Sequence, residues 1–164
     1  MSSGMRKGFI VAAIHLALVG SLGAKLLIDR ATRPRVWART APVDPDHPLR
    51  GRYVRMRVEG EPVGFGNDHS TVDVMLVARG ELLGLQSTSE STGLRAQLVS
   101  RDGREHAQLY APLAYYIPEH VPDPSIRAPG EELWVELTLP KAGPPRPIRL
   151  GVKKDGVLTP LDLD

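Results

Sequence analysis

The residue types of a hydrolase triad stand together in one short segment. Asp68, His69 and Ser70 are consecutive, and Asp73 follows them closely. In a Ser–His–Asp triad the base bonds the nucleophile while the carboxylate orients the base, and neighbours on one loop rarely converge in this way. The chain also has no Gly-x-Ser-x-Gly elbow. The segment is therefore more typical of a turn between strands.

A second hydrolase chemistry pairs a serine near a membrane exit with a lysine base on a later strand. The region that would supply this serine, Ala31–Pro48, contains none, and Lys141, Lys153 and Lys154 come late in the chain. The chain has no cysteine, which excludes thiol nucleophiles, disulfides and thiolate metal sites. We therefore expect no catalytic residue, and a membrane-tethered hydrolase is kept only as the alternative function.

Candidate metal ligands are sparse. The histidines beyond the N-terminal segment are widely separated, at His47, His69, His106 and His120. The acidic residues beside them lack the spacing of a recognised zinc or calcium loop. No glycine-rich phosphate loop follows a predicted strand. We expect neither a metal nor a cofactor.

Four arginines and a tyrosine fall within one short stretch: Arg50, Arg52, Tyr53, Arg55 and Arg57. On a strand, Tyr53, Arg55 and Arg57 share one face. Guanidinium groups beside an aromatic ring suit carboxylate or phosphate ligands, or an acidic partner surface. The alternative is a solvated strand face whose arginines pair with acidic residues on neighbouring strands.

Glu119 lies next to Pro118, which is expected to end a strand because proline lacks a backbone donor. Its carboxylate can accept backbone N–H groups in the loop or pair with Arg52 or Arg55. We therefore predict a ligand- or partner-binding site at Tyr53, Arg55, Arg57 and Glu119. The alternative is that these residues form a structural lock between strand and loop.

An apolar N-terminal segment is the first element that would position these residues. Residues 8–28 are apolar apart from His15, Ser21 and Lys25, and a spanning helix needs about 20 such residues. We predict a transmembrane helix over 8–28, preceded by a tail over 1–7. The alternative is a cleaved signal peptide, whose cleavage site would be poor because Leu22 stands where a small residue is needed.

One face of this predicted helix is made of small residues, which let another helix approach closely in lipid: Ala13, Ala17, Gly20, Ser21 and Ala24. We predict that this face packs against another membrane helix. His15 lies on the opposite face, where a single neutral imidazole is tolerated or marks a functional site.

Charge is divided unevenly along the chain. Residues 1–40 contain seven basic residues and one acidic residue, a net charge of +6, whereas residues 41–164 contain 14 basic and 18 acidic residues, a net charge of −4. A nucleic-acid-binding protein normally carries its positive charge on the folded domain, so we expect no nucleic-acid partner. A count of positive charges around the span would place the C-terminal domain inside the cell, although whole domains are exported despite this bias.

Residues 29–50 contain four prolines, which favour an extended chain. We predict a Pro/Arg-rich tether over 29–50 and a β-rich domain over 51–164. Trp37, within this tether, is expected either at the headgroup level of a membrane or packed on the domain.

Alternation of apolar and polar residues predicts the fold of the domain. Apolar residues make up 41% and charged residues 24% of the chain, as in ordinary globular proteins. Eight strand-like runs are present: Tyr53–Val58, Val72–Ala78, Leu82–Leu85, Arg95–Val99, Ala107–Leu113, Leu133–Leu139, Ile148–Val152 and Val157–Leu161. Asp102-Gly103 and Asp155-Gly156 favour tight hairpins. We predict a mainly β fold, an antiparallel sandwich or small open barrel of about eight strands, preceded by one transmembrane helix.

Two stretches resemble the first signature of a known family, the GDYXXLXY proteins: Val43-Asp44-Pro45 and Leu49-Arg50-Gly51-Arg52-Tyr53-Val54-Arg55-Met56. The segment Tyr115-Tyr116-Ile117-Pro118-Glu119 is similar to the second signature. The resemblance covers roughly residues 43–164. The chain departs from the family pattern where an Asp is Arg52, a Leu is Met56 and a final Tyr is Val58.

The resemblance implies a small bacterial protein whose β-rich domain is held on an inner-membrane helix and faces the periplasm. It also implies a partner, a multi-pass integral membrane protein. It supplies no catalytic residue. A role that needed the family's carboxylate is not expected here, because Arg52 replaces it.

Overall fold

The structure is a computed structural model that describes residues 3–43, 53–66 and 70–163. The chain forms two compact units, Met1–Arg33 and Pro34–Asp164. The first unit is a single helix, and the second contains all the strands. The fold is therefore mainly β with one N-terminal apolar helix, as the sequence predicts.

Helix α1 spans Ser3–Thr32. Within the described residues, this helix is the one long and apolar enough to cross a membrane, over Lys7–Ile28. None of that segment is buried in the protein. Ser21 Oγ donates to the carbonyl of Leu18 at 2.8 Å, and His15 Nδ1 lies 2.8 Å from the carbonyl oxygen of Val11. The polar side chains of the segment are therefore bonded to their own helix.

Ten strands form one sheet: β1 (Arg35–Pro42), β2 (Tyr53–Val63), β3 (Val72–Arg79), β4 (Leu82–Ser87), β5 (Arg95–Arg101), β6 (Arg104–Leu109), β7 (Leu113–Tyr116), β8 (Glu131–Thr138), β9 (Arg146–Lys154) and β10 (Val157–Pro160).

Six of these strands close into a barrel in the order β1-β4-β3-β5-β6-β2, because β1 pairs with both β4 and β2. Strand β7 pairs with β2, and β8, β9 and β10 extend the sheet from β1. Most pairs are antiparallel, but β4 runs parallel to both β1 and β2. The predicted fold class is confirmed, with ten strands instead of eight.

Strand β2 shows how alternation builds the core. Val54, Met56 and Val58 are each at most 4% exposed and pack in the main hydrophobic cluster. The residues between them, from Tyr53 to Glu61, point to the opposite face because successive side chains of a strand alternate. That opposite face is polar and carries the candidate site.

The two predicted hairpins have the expected turns. Asp102 and Gly103 have φ of 53° and 72°, and Asp155 and Gly156 have φ of 50° and 82°. Positive φ at both central residues matches the right-handed twist of the flanking strands. The first turn joins β5 to β6 and the second joins β9 to β10.

Two boundaries differ from the sequence expectation. Strand β1 lies inside the predicted tether over 29–50, so the folded unit begins at Pro34 and not at residue 51. Pro34 and Pro42 stand at the ends of this strand, where a missing backbone donor is tolerated. The predicted run Ala107–Leu113 also divides into the end of β6 and the start of β7.

Candidate ligand cleft

A row of residues in register crosses six strands on the polar face of the sheet. Its members are paired from one strand to the next: Gly151 on β9, Trp134 on β8, Arg39 on β1, Glu59 on β2, Gln108 on β6 and Gln97 on β5. Residues directly opposite each other on neighbouring strands share a face. Side chains separated by almost the whole domain in sequence therefore become neighbours.

A cleft of about 730 Å³ opens along this row. Its lining includes two indoles, five carboxylates, one histidine and four basic side chains: Trp37, Trp134, Glu59, Glu61, Asp102, Glu105, Glu132, His106, Arg39, Arg101, Arg104 and Lys153. The volume is in the range of small-molecule sites, which run from about 300 to 1,000 Å³. Opposite charges are nearly balanced in the lining.

Glu59 is the buried acid of the cleft. Its side chain is 0% exposed. Gln108 Nε2 donates to Oε1 at 3.0 Å, and Arg101 Nη2 lies 3.3 Å from the same oxygen. Oε2 is buried and accepts no hydrogen bond. A buried charged oxygen without a donor is costly, so this atom is the least satisfied acceptor of the site.

Arg39 joins three elements at the side of the cleft. Its Nη1 and Nη2 donate to Asp102 Oδ2 at 3.2 and 3.1 Å, and Nη2 lies 2.8 Å from Glu132 Oε1. Asp102 is at the turn between β5 and β6, whereas Glu132 is on β8. The positive charge of Arg39 is therefore compensated by two carboxylates, which fixes the hairpin tip beside β1.

The two indoles are held by cations and by a glycine. The guanidinium of Arg149 lies 5.4 Å from the centroid of the Trp37 ring, and Lys153 Nζ lies 4.5 Å from that of Trp134. A Cβ added at Gly151 would be 2.9 Å from Trp37 Cζ3, so a glycine is needed where the ring crosses β9. Trp37 is therefore packed on the domain, which is the second of the two placements expected for it.

Three of the predicted site residues lie on the same face of β2 as Glu59. Tyr53 packs its ring 6.0 Å from the ring of Tyr116, its register partner on β7. Arg55 is opposite Ala114, and Arg57 is opposite Ala41. Arg57 Nε is buried and has no hydrogen-bond partner. These three residues do not line the cleft.

Glu119 is exposed and follows β7 in a turn. It and Arg55 both take part in polar interactions within the domain. Arg50, Arg52, Asp68 and His69 lie outside the described residues, so the predicted pairing of Glu119 with Arg52 and the Asp-His-Ser segment are not tested by the structure. The five small residues of the helix face are all exposed: Ala13, Ala17, Gly20, Ser21 and Ala24.

The cleft offers acids, bases and amides but no hydroxyl nucleophile. Among the described residues that line it, none is serine or threonine. Within residues 3–43, 53–66 and 70–163, no group of three His, Asp or Glu side chains is placed to hold a metal ion. Chemistry available here is ion pairing, hydrogen bonding and proton transfer by His106 or a carboxylate.

Sequence reasoning did not identify the cleft. Glu59 follows Arg55 and Arg57 in the same alternation, and that spacing was the available signal. Arg39 and Trp134 carried no signal, because only strand pairing brings them to Glu59. The chain matches no family model, and no curated protein or solved structure proved similar to it.

Proposed function

We propose that this chain is a bacterial inner-membrane protein with a single span over residues 8–28 and a periplasmic β domain that binds a membrane partner or an envelope ligand without catalysing a reaction. One observation supports the anchor most directly. The helical segment Lys7–Ile28 is apolar, long enough to span, and wholly unburied within the protein. An apolar surface of that size needs a cover, and lipid provides it.

The cleft supports the binding part of the proposal. It combines a volume suited to small ligands with convergent polar groups and a buried acceptor that lacks a donor. The exposed ring of Tyr116, beside Tyr53, offers a second contact surface on the same sheet. Aromatic residues with polar tips are frequent in protein interfaces.

Membrane extraction tests the anchor. The full chain is expected to stay with membranes through an alkaline wash, and Leu18→Arg/Val19→Arg is expected to release it, because each central arginine costs about 2.5–3.5 kcal/mol in insertion. Leu18→Ala/Val19→Ala is the matched control and is expected to stay. Soluble protein with a new N-terminus near Lys25 would show instead that the segment is a cleaved signal. A reporter active on one side only, fused after Asp164, tests the periplasmic placement.

The alternative is a membrane-tethered hydrolase, and one observation favours it. His106 and the carboxylates of Glu59, Glu61 and Glu105 line the same cleft, so a base that activates water is available. Ester and peptide hydrolysis by the purified chain, compared with His106→Ala, separates the two functions. Turnover that His106→Ala abolishes would replace the binding proposal.

A further inference from the structure

We propose that the cleft binds an arginine-type zwitterion, with the ligand's guanidinium on Glu59 and its carboxylate on Arg104. The inference rests on the proposed function, since it names the ligand of that binding domain. Its starting point is the unequal use of the two oxygens of Glu59. Both protein donors reach Oε1, whereas Oε2 is buried and accepts nothing.

The chemistry of the missing donor follows from the donor already present. Arg101 contacts Glu59 through Nη2 alone, at 3.3 Å, and only 37% of its side chain is exposed. A guanidinium binds a carboxylate best through two parallel N–H bonds to both oxygens. Arg101 makes one side of that arrangement, so a ligand guanidinium can supply the donor for the other oxygen. A compact ammonium has no such fork.

Charge balance argues for a ligand that also carries an anion. Arg39 is already compensated by Asp102 and Glu132, but Arg104 makes no ion pair in the described part of the chain. Arg104 and His106 share the face of Gln108, the register partner of Glu59. His106 is two and Arg104 four positions from Gln108, which is about 7 and 13 Å along a strand. Side chains of this length close the remaining gap to an extended arginine.

Arg57 is the other basic group on this face of β2. Its Nε is buried without a hydrogen-bond partner, but Arg57 does not line the cleft. It therefore contributes positive potential near Glu59 without meeting the ligand. That potential disfavours a ligand that is only cationic and favours one that brings a carboxylate as well.

Titration of the full chain in detergent with L-arginine tests the inference. L-citrulline is the matched ligand, because it has the same shape without the positive charge, and agmatine lacks the carboxylate. L-arginine is expected to bind, citrulline to bind at least about tenfold more weakly, the ratio for loss of one charge-assisted pair, and agmatine to fall between them. Equal binding of arginine and citrulline, or no binding of arginine, overturns the inference.

Variants locate the site. Glu59→Gln keeps the shape and is expected to weaken arginine binding about tenfold or more, whereas Arg104→Gln is expected to weaken arginine about threefold and leave agmatine unchanged. Glu61→Gln, on the same strand but half-exposed and paired with Arg79, is the control and is expected to change binding less than about twofold. Binding that Glu59→Gln leaves intact overturns the assignment.

A second arm decides the matter if Glu59→Gln does not fold. Arg101→Ala removes the internal guanidinium and leaves Glu59 charged. Free arginine is then expected to raise the unfolding temperature of this variant more than that of the unchanged chain, while citrulline does not. An equal rise with both ligands contradicts the inference. If the chain proves to be released from membranes, the proposed function fails while these titrations stand, and failed titrations in an anchored chain remove only the inference.

Discussion

The two halves of β2 present the same face of one strand to different surroundings. Tyr53 and Arg55, in the first half, pair with the four-residue strand β7 and lie beside the exposed ring of Tyr116. Arg57 and Glu59, in the second half, lie between β1 and β6. Exposure falls along the face until the Glu59 side chain is fully buried.

The difference shows that neighbours, and not residue type, decide what a charged strand face does. The charged groups of the first half have access to water, which weakens their pairwise interactions. In the second half, a carboxylate is enclosed by a guanidinium and an amide from other strands. A buried, partly satisfied ion pair costs much to break and is a candidate for ligand binding.

Removing the buried carboxylate is expected to have the largest effect. Glu59→Ala leaves the amide of Gln108 and the guanidinium of Arg101 without their acceptor, and the free energy of unfolding is expected to fall by about 3 kcal/mol. Urea unfolding of the full chain in detergent measures it. Both tryptophans, Trp37 and Trp134, lie in strands of the β domain, so their fluorescence reports that unit.

Glu59→Gln is the matched control for this measurement. It retains an oxygen for Gln108 and is expected to lose less than Glu59→Ala. A loss under about 0.5 kcal/mol for Glu59→Ala, the usual range of surface substitutions, would contradict the distinction between the two halves.

The backbone next to Glu59 is expected to tolerate almost no added volume. A Cβ on Gly60 would lie 2.9 Å from the carbonyl oxygen of Leu83 and 3.2 Å from Leu85 Cγ. Because the closest of these is a backbone atom, β2 and β4 must separate, and Gly60→Ala is expected to cost about 2 kcal/mol. The same urea titration measures it. Gly66→Ala, at a position with open space around it, is the control, and equal stability of the two variants would contradict the close packing.

The smallest effect is expected in the exposed half of the strand. Tyr53→Ala removes one tilted ring pair with Tyr116, and pairs of this kind contribute about 1 kcal/mol. A double-mutant cycle with Tyr116→Ala isolates the coupling between the two rings. A loss from Tyr53→Ala as large as that from Glu59→Ala would remove the contrast between the halves.

Most of the fold could be predicted because it follows from local patterns. Alternation located β2, β3, β4, β5, β8 and β9, and the two Asp-Gly pairs located their turns. Strand β1 was not predicted, because its prolines and arginines resemble a linker. Its small buried residues, Val36 and Ala38, gain their apolar environment only from pairing with β8.

The candidate site could be predicted only in part. Placing Tyr53, Arg55 and Arg57 on one face needed the period of a strand alone. Finding the cleft needed the order and register of six strands, which long-range pairing determines and local sequence does not. The family resemblance and the role of Glu119 stay predictions.

Strand β1 has a consequence for the timing of biosynthesis. The Thr40 hydroxyl donates to the carbonyl of Leu133, 93 residues further along the chain. A ribosome delivers β1 first among the strands and β8 almost last, so one edge of β1 has no protein partner while most of the domain is being made. The domain therefore completes its fold only after nearly the whole chain has emerged, and closing so long a loop is slow. Until then the nascent chain exposes an unpaired strand edge, which makes protection by a chaperone valuable.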